Sequence, residues 1–187
     1  YRGQNVAFEG RVYNVSVGDP TNLTGGTVGY AMAGRRPNNV NGVRVKVGEG
    51  GDLEVRRRVV LRRTRRVTRV RASTAQGSLL RLVVAKAEPG ELAAAIEGVA
   101  PDVEVVSVGH RLEIVKQVGA PAGLDAEFAV STWTGTHGLG HTRLSTESRV
   151  DLSHSQPFWA HGTLDLAVVH NGHICNYHRL RRIYEQE

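Results

Sequence analysis

The 187 residues contain a single cysteine, Cys175, so no internal disulfide is available, which suits a reducing, cytoplasmic setting. Aromatic residues make up only 5% of the chain, too few for a series of base-stacking platforms. No apolar run approaches the roughly 20 residues needed to cross a bilayer. No dinucleotide fingerprint or phosphate loop appears among the 22 glycines. The chain opens on Tyr1 rather than Met and stops within a helical pattern, so both ends read as truncated.

At 40% hydrophobic and 22% charged residues, the composition is that of a globular domain. The net charge of +6 is local in origin. Residues 54–73 hold nine Arg and one Glu and carry +8, which leaves −2 for the remainder. Such a run can be a nucleic-acid footprint, but no aromatic residue interleaves it. It reads instead as a solvated Arg-rich strand pair or loop, which argues against nucleic acid as a partner.

Short apolar segments before residue 34 read as strands between turns. Residues 35–52 read as an exposed loop or hairpin with Asn41–Gly42 at its turn. Beyond them, LLRLVVAK predicts a strand. EPGELAAAIEGV predicts a helix with Pro89 in its first turn and Gly98 at its end. VEVVSVG and RLEIVKQVG predict two strands joined as a hairpin around Gly109 and His110, and PAGLDAEFAV a short helix. GLGHTRLST and LDLAVVHNG predict core strands. The last segment spaces Tyr177, Leu180, Ile183 and Tyr184 as a helix capped by Asn176. Strands and helices do not alternate regularly, which favours α+β with a largely antiparallel sheet.

Two segments carry chemistry. In Gly140-His141-Thr142-Arg143-Leu144-Ser145-Thr146, a guanidinium stands in a strand of small and apolar residues. It requires an anion there, because an unpaired buried charge is costly. A substrate carboxylate would serve, as would an internal Asp or Glu. In Val168-Val169-His170-Asn171-Gly172, a side-chain amide and a backbone N–H at a strand end can donate to one oxygen, the composition of an oxyanion hole. Asn-Gly is also an ordinary turn dipeptide. Seven of the eight histidines fall between residues 137 and 178, which admits a rival metal-binding reading, although no carboxylate stands at ligand spacing. A catalytically degenerate binding or structural domain is the other alternative.

In order and spacing, these segments together with His154-Ser155-Gln156-Pro157-Phe158 resemble the class II, N-terminal-nucleophile glutamine amidotransferases. The similarity is specific over residues 137–184. Over 79–136 it points to the stand-alone amidotransferase subunits of glutamate-synthase type. The resemblance implies one partial domain over 1–187, with 54–73 matching poorly, and a sandwich of two antiparallel sheets between helices. It implies that Arg143 and Thr146 hold the glutamine α-carboxylate end and that Asn171 and Gly172 form the oxyanion hole. The family nucleophile is an N-terminal cysteine, absent here, so the 187 residues alone are expected to be inactive. Cys175 falls at a position read as a small packed side chain. The resemblance implies no cofactor in this domain. It implies an ammonia-accepting synthase domain or subunit as partner, of which a flavin-containing synthase is one type.

Overall fold

A computed structural model describes residues 2–8, 11–17, 26–33, 39–48, 51–144, 151–170, 172 and 174–185. The first strands are β1 (Arg2–Phe8), β2 (Arg11–Val17), β3 (Gly26–Ala33) and β4 (Val40–Lys46). Helix α1 (Leu53–Val67) leads to β5 (Val70–Gln76) and β6 (Leu79–Ala85), then α2 (Pro89–Glu97). Strands β7 (Glu104–Gly109) and β8 (Leu112–Val118) precede α3 (Pro121–Phe128) and β9 (Gly138–Leu144). The short strands β10 (Phe158–Trp159) and β11 (Ala167–Val168) come before α4 (Tyr177–Tyr184). Every described strand pairing is antiparallel, so the fold is α+β as expected.

Two sheets face each other. One has the order β5-β6-β4-β7, the other β8-β3-β9. Strand alternation explains the layering. Val43 and Val45 of β4, with Leu80, Leu82 and Val84 of β6, join Val60, Leu92 and Ile96 of α1 and α2 in the core. Arg44 points the other way, toward the second sheet, where its Nη2 lies 2.9 Å from Glu113 of β8. Arg81 of β6, paired with Arg44 across the ladder, reaches the same carboxylate at 2.7 Å.

Several expectations fail here, each for a physical reason. Asn41–Gly42 is not a turn. It lies inside β4, which is buried throughout, and Asn41 Nδ2 donates to the Ala87 carbonyl 3.3 Å away. Sheet pairing on both sides outweighs the turn preference of the dipeptide. The Arg-rich stretch is not a strand pair or loop. Most of it is α1, whose N-cap Asp52 accepts from the N–H groups of Glu54 and Val55. Val60 and Thr64 are its buried face, and the arginines crowd the exposed one. Arginine is a good helix former, and Arg65 and Arg66 suit the last turn.

Strands β7 and β8 do not pair as a hairpin, because β7 joins β4 and β8 joins β3. The corner between them is tied by Asp165, whose Oδ1 accepts from the N–H groups of Arg111 and Leu112 at 2.7 and 2.8 Å. A Cβ at Gly109 would meet that same oxygen at 2.7 Å, so glycine is needed for the approach. The expected core strand in LDLAVVHNG shrinks to two residues, and Leu164, Leu166 and Val168 are exposed. Its partner strand enters the core through Trp159, and Ala167 packs half-buried against that core. Asn176 precedes α4 but makes no side-chain cap.

Candidate active site

The candidate face is laid out by β3. Thr27 stands opposite Arg143 and Val118, and Gly29 opposite His141 and Lys116. Directly opposed residues share a face, so these six positions lie together on the side away from Glu113. Residues 151–158 close over that side. A Cβ at Gly29 would overlap the carbonyl oxygen of Gln156 and come within 2.9 Å of Pro157 Cδ. Gly29 therefore admits the closing segment.

The closing segment is held in several places. Lys46 Nζ donates to Ser153 Oγ at 3.1 Å. Asp151 accepts from the His154 backbone at 2.9 Å and lies 2.7 Å from His154 Nδ1. Burial pushes the Asp151 carboxyl up, but the side-chain and backbone bonds from His154 outweigh it and hold it below the ordinary range. Lys116 is 3% exposed, with its ammonium 5.0 Å from the centre of the Phe158 ring. Burial lowers its pKa from 10.5 to about 8, against a raising influence from Glu104 and Asp151 and a further lowering one from Lys46.

Gln156 connects this face to the second motif. Its Oε1 accepts from the His170 N–H at 2.5 Å and its Nε2 donates to the His170 carbonyl at 2.9 Å. His170 immediately precedes Asn171–Gly172. A Cβ at Gly172 would sit 3.0 Å from His170 Nε2, so the imidazole packs against this glycine. Gly172 is exposed. Two hydroxyls of the covered face, Thr27 Oγ1 and Ser155 Oγ, are buried with no hydrogen-bond partner among the described residues. Buried polar groups in that condition are uncommon and recur at functional sites.

Of the residues singled out in the sequence, Arg143 is placed by register in β9 and Gly172 follows the anchored His170. Thr146 and Asn171 lie outside the described residues. Cys175 is exposed, not packed, because the segment after Gly172 leads into α4, which buries no residue. Sequence reasoning missed Gln156. Its signal was the Gln-Pro pair within the His-Ser-Gln-Pro-Phe segment. Among the described residues, no group of three His, Cys, Asp or Glu is gathered as a metal site. None of the described helices is long and apolar enough to cross a membrane.

Comparison with known proteins bears on this geometry. The chain is 39% identical over 101 residues to the glutamine amidotransferase-like protein GlxB of Rhizobium meliloti, covering 54% of this chain and 33% of that protein. The chain is related to the class II glutamine amidotransferases. It is 43% identical over 88 residues, 46% of this chain and 28% of the relative, to a Methanothermobacter thermautotrophicus protein named for the same activity. It is 35% identical over 78 residues to a glutamine–fructose-6-phosphate aminotransferase of Bradyrhizobium diazoefficiens, covering 42% of this chain and 12% of that enzyme. The chain thus spans about a third of the length of the first of these relatives and less of the others. No family model matches it, and no solved structure does. The α+β arrangement of antiparallel sheets agrees with the N-terminal-nucleophile fold of this class.

Proposed function

We propose that this chain provides the glutamine-binding strand and the oxyanion turn of a glutaminase module, which hydrolyses glutamine to glutamate and passes ammonia to a synthase domain or subunit. The observation that carries this reading is the Gln156 bridge. It joins the segment covering the Arg143 face to the residue before Asn171–Gly172. In this reading Arg143 binds the glutamine α-carboxylate through paired charge-assisted bonds, and Thr146 contributes to the same pocket. A cysteine thiolate from outside these residues adds to the side-chain amide carbon. The amide oxygen becomes an oxyanion, met by the Asn171 side chain and the Gly172 N–H. The nucleophile's own α-amine relays a proton to the leaving nitrogen, and ammonia departs from a γ-glutamyl thioester. Water then cleaves the thioester, releasing glutamate and the thiol. These steps call on no cofactor in this domain. A flavin-containing synthase of glutamate-synthase type fits as acceptor, in the cytoplasm.

Glutamine titration calorimetry on the chain, with glutamate and asparagine as controls, tests the binding half. Heat from glutamine that vanishes in Arg143→Ala supports it; equal heats in both proteins would refute it. An ammonia assay tests the chemical half. The 187 residues alone should release none. Turnover abolished by Cys175→Ser would move the nucleophile to Cys175 and overturn the assignment.

A further inference from the structure

We propose that Gln156 is a positioning residue that holds the oxyanion turn in register with the substrate-binding face. The inference rests on the proposed function for its purpose and on geometry for its substance. One side-chain amide satisfies both backbone groups of His170, accepting from its N–H and donating to its carbonyl. The pairing imitates one rung of a sheet ladder between residues 14 apart in sequence. Only a primary amide of this length serves. Glutamate has no donor for the carbonyl, leucine has neither group, and asparagine is one methylene short. The backbone of Gln156 is itself seated on Gly29, where no side chain intervenes. The His170 ring in turn lies against Gly172. The chain of contacts thus runs from Gly29, beside His141 in the Arg143 strand, through Gln156 and His170 to Gly172. A turn that must present two donors to a developing charge gains from such fixing, because donors already in place need no reorganisation during reaction.

Amide hydrogen exchange, followed by NMR on the wild type, Gln156→Glu and Gln156→Asn, reads the bridge directly. His170 N–H should exchange about 10- to 100-fold faster in both variants, while Val43 and Val45 of β4 keep their wild-type rates. Unchanged exchange at His170 would overturn the proposal. Equal acceleration throughout β4 would also overturn it, since Gln156 would then act on global stability alone. Glutaminase kinetics of the full-length protein provide the second readout. Gln156→Glu should lower kcat about tenfold or more with KM within about twofold. A raised KM at constant kcat would sink the positioning role. Wild-type protein inert toward glutamine would instead defeat the proposed function, and the exchange rates would still decide whether the bridge exists.

Discussion

The two faces of the β8-β3-β9 sheet handle their charged groups differently. On the inner face, Glu113 meets both Arg44 and Arg81, Arg44 also donates to Gln76 Oε1 at 2.5 Å, and the rings of Phe128 and Trp133 lie 5.8 and 6.0 Å from its guanidinium. On the opposite face, burial lowers the Lys116 pKa to about 8, and the hydroxyls of Thr27 and Ser155 have no partner among the described residues. The Glu113 face pairs its charges internally, although Gln117 Oε1, on the same side of β8, has no partner among the described residues. The face proposed to receive a charged substrate carries two buried hydroxyls without a described partner, Thr27 and Ser155. Arg44 has its anion supplied internally by Glu113, whereas Arg143 is proposed to take its anion from the substrate.

The sharpest way to break this comparison is to remove Glu113. Glu113→Ala leaves Arg44 and Arg81 facing each other between the sheets and should cost about 3–5 kcal/mol in urea denaturation. Glutamine affinity of the protein that remains folded should hold. If affinity falls as steeply as stability, the two faces are not independent.

Arg143→Ala supplies the converse. It should weaken glutamine binding by about 2–4 kcal/mol in calorimetry while the urea midpoint moves little. Arg143→Lys should recover only part, since an ammonium lacks the planar fork. Lost stability with unchanged affinity would make Arg143 a second structural arginine and erase the contrast.

Asn171→Ala removes one proposed oxyanion donor and leaves the Gly172 N–H. In the full-length enzyme, kcat should drop on the order of 10²-fold with a far smaller change in KM. Gly172→Val should be worse, because a Cβ there already meets the His170 ring. An unchanged kcat/KM for Asn171→Ala would reduce the pair to an ordinary turn.

The smallest effect concerns Lys116. Its folded pKa of about 8 lies below the ordinary 10.5, so between these values the unfolded chain holds a proton the folded chain has lost. Stability from this group therefore rises with pH across that window, and below it the burial penalty is fully present. Lys116→Met should stabilise the protein at pH 7 by about 1–2 kcal/mol, net of the lost contact with Phe158. That advantage should fade above pH 10.5. A variant less stable than wild type at pH 7 would show that the covering segment depends on the ammonium.

Much of the architecture was legible in local pattern. The strand LLRLVVAK and the helix begun by Pro89 and ended by Gly98 fall where their sequences put them; the strand bearing Arg143 does too, but at the edge of its sheet with Leu139 exposed rather than in the core. The α1 signals were also present: Asp52 as a cap, Glu54 in the first turn, and Leu53, Val60, Thr64 and Val67 along one stripe. The density of arginine obscured them, because a stripe so narrow looks polar all round. In and just after β4, the alternation of Val43, Val45 and Val47 was outweighed by the turn preference of Asn41–Gly42. That preference is local and yields to a strand paired on both sides.

The sequence by itself determined the motif residues, their order and the antiparallel α+β class, because these depend on side-chain identity and short-range periodicity. Tertiary structure decided three further things: that β7 and β8 part into different sheets, that residues 151–158 cover Gly29, and that Gln156 grips His170. These depend on groups far apart in the chain meeting within hydrogen-bond distance. No local propensity encodes such an encounter. It follows only once the two sheets have stacked and the absence of a side chain at Gly29 leaves the covering segment its place.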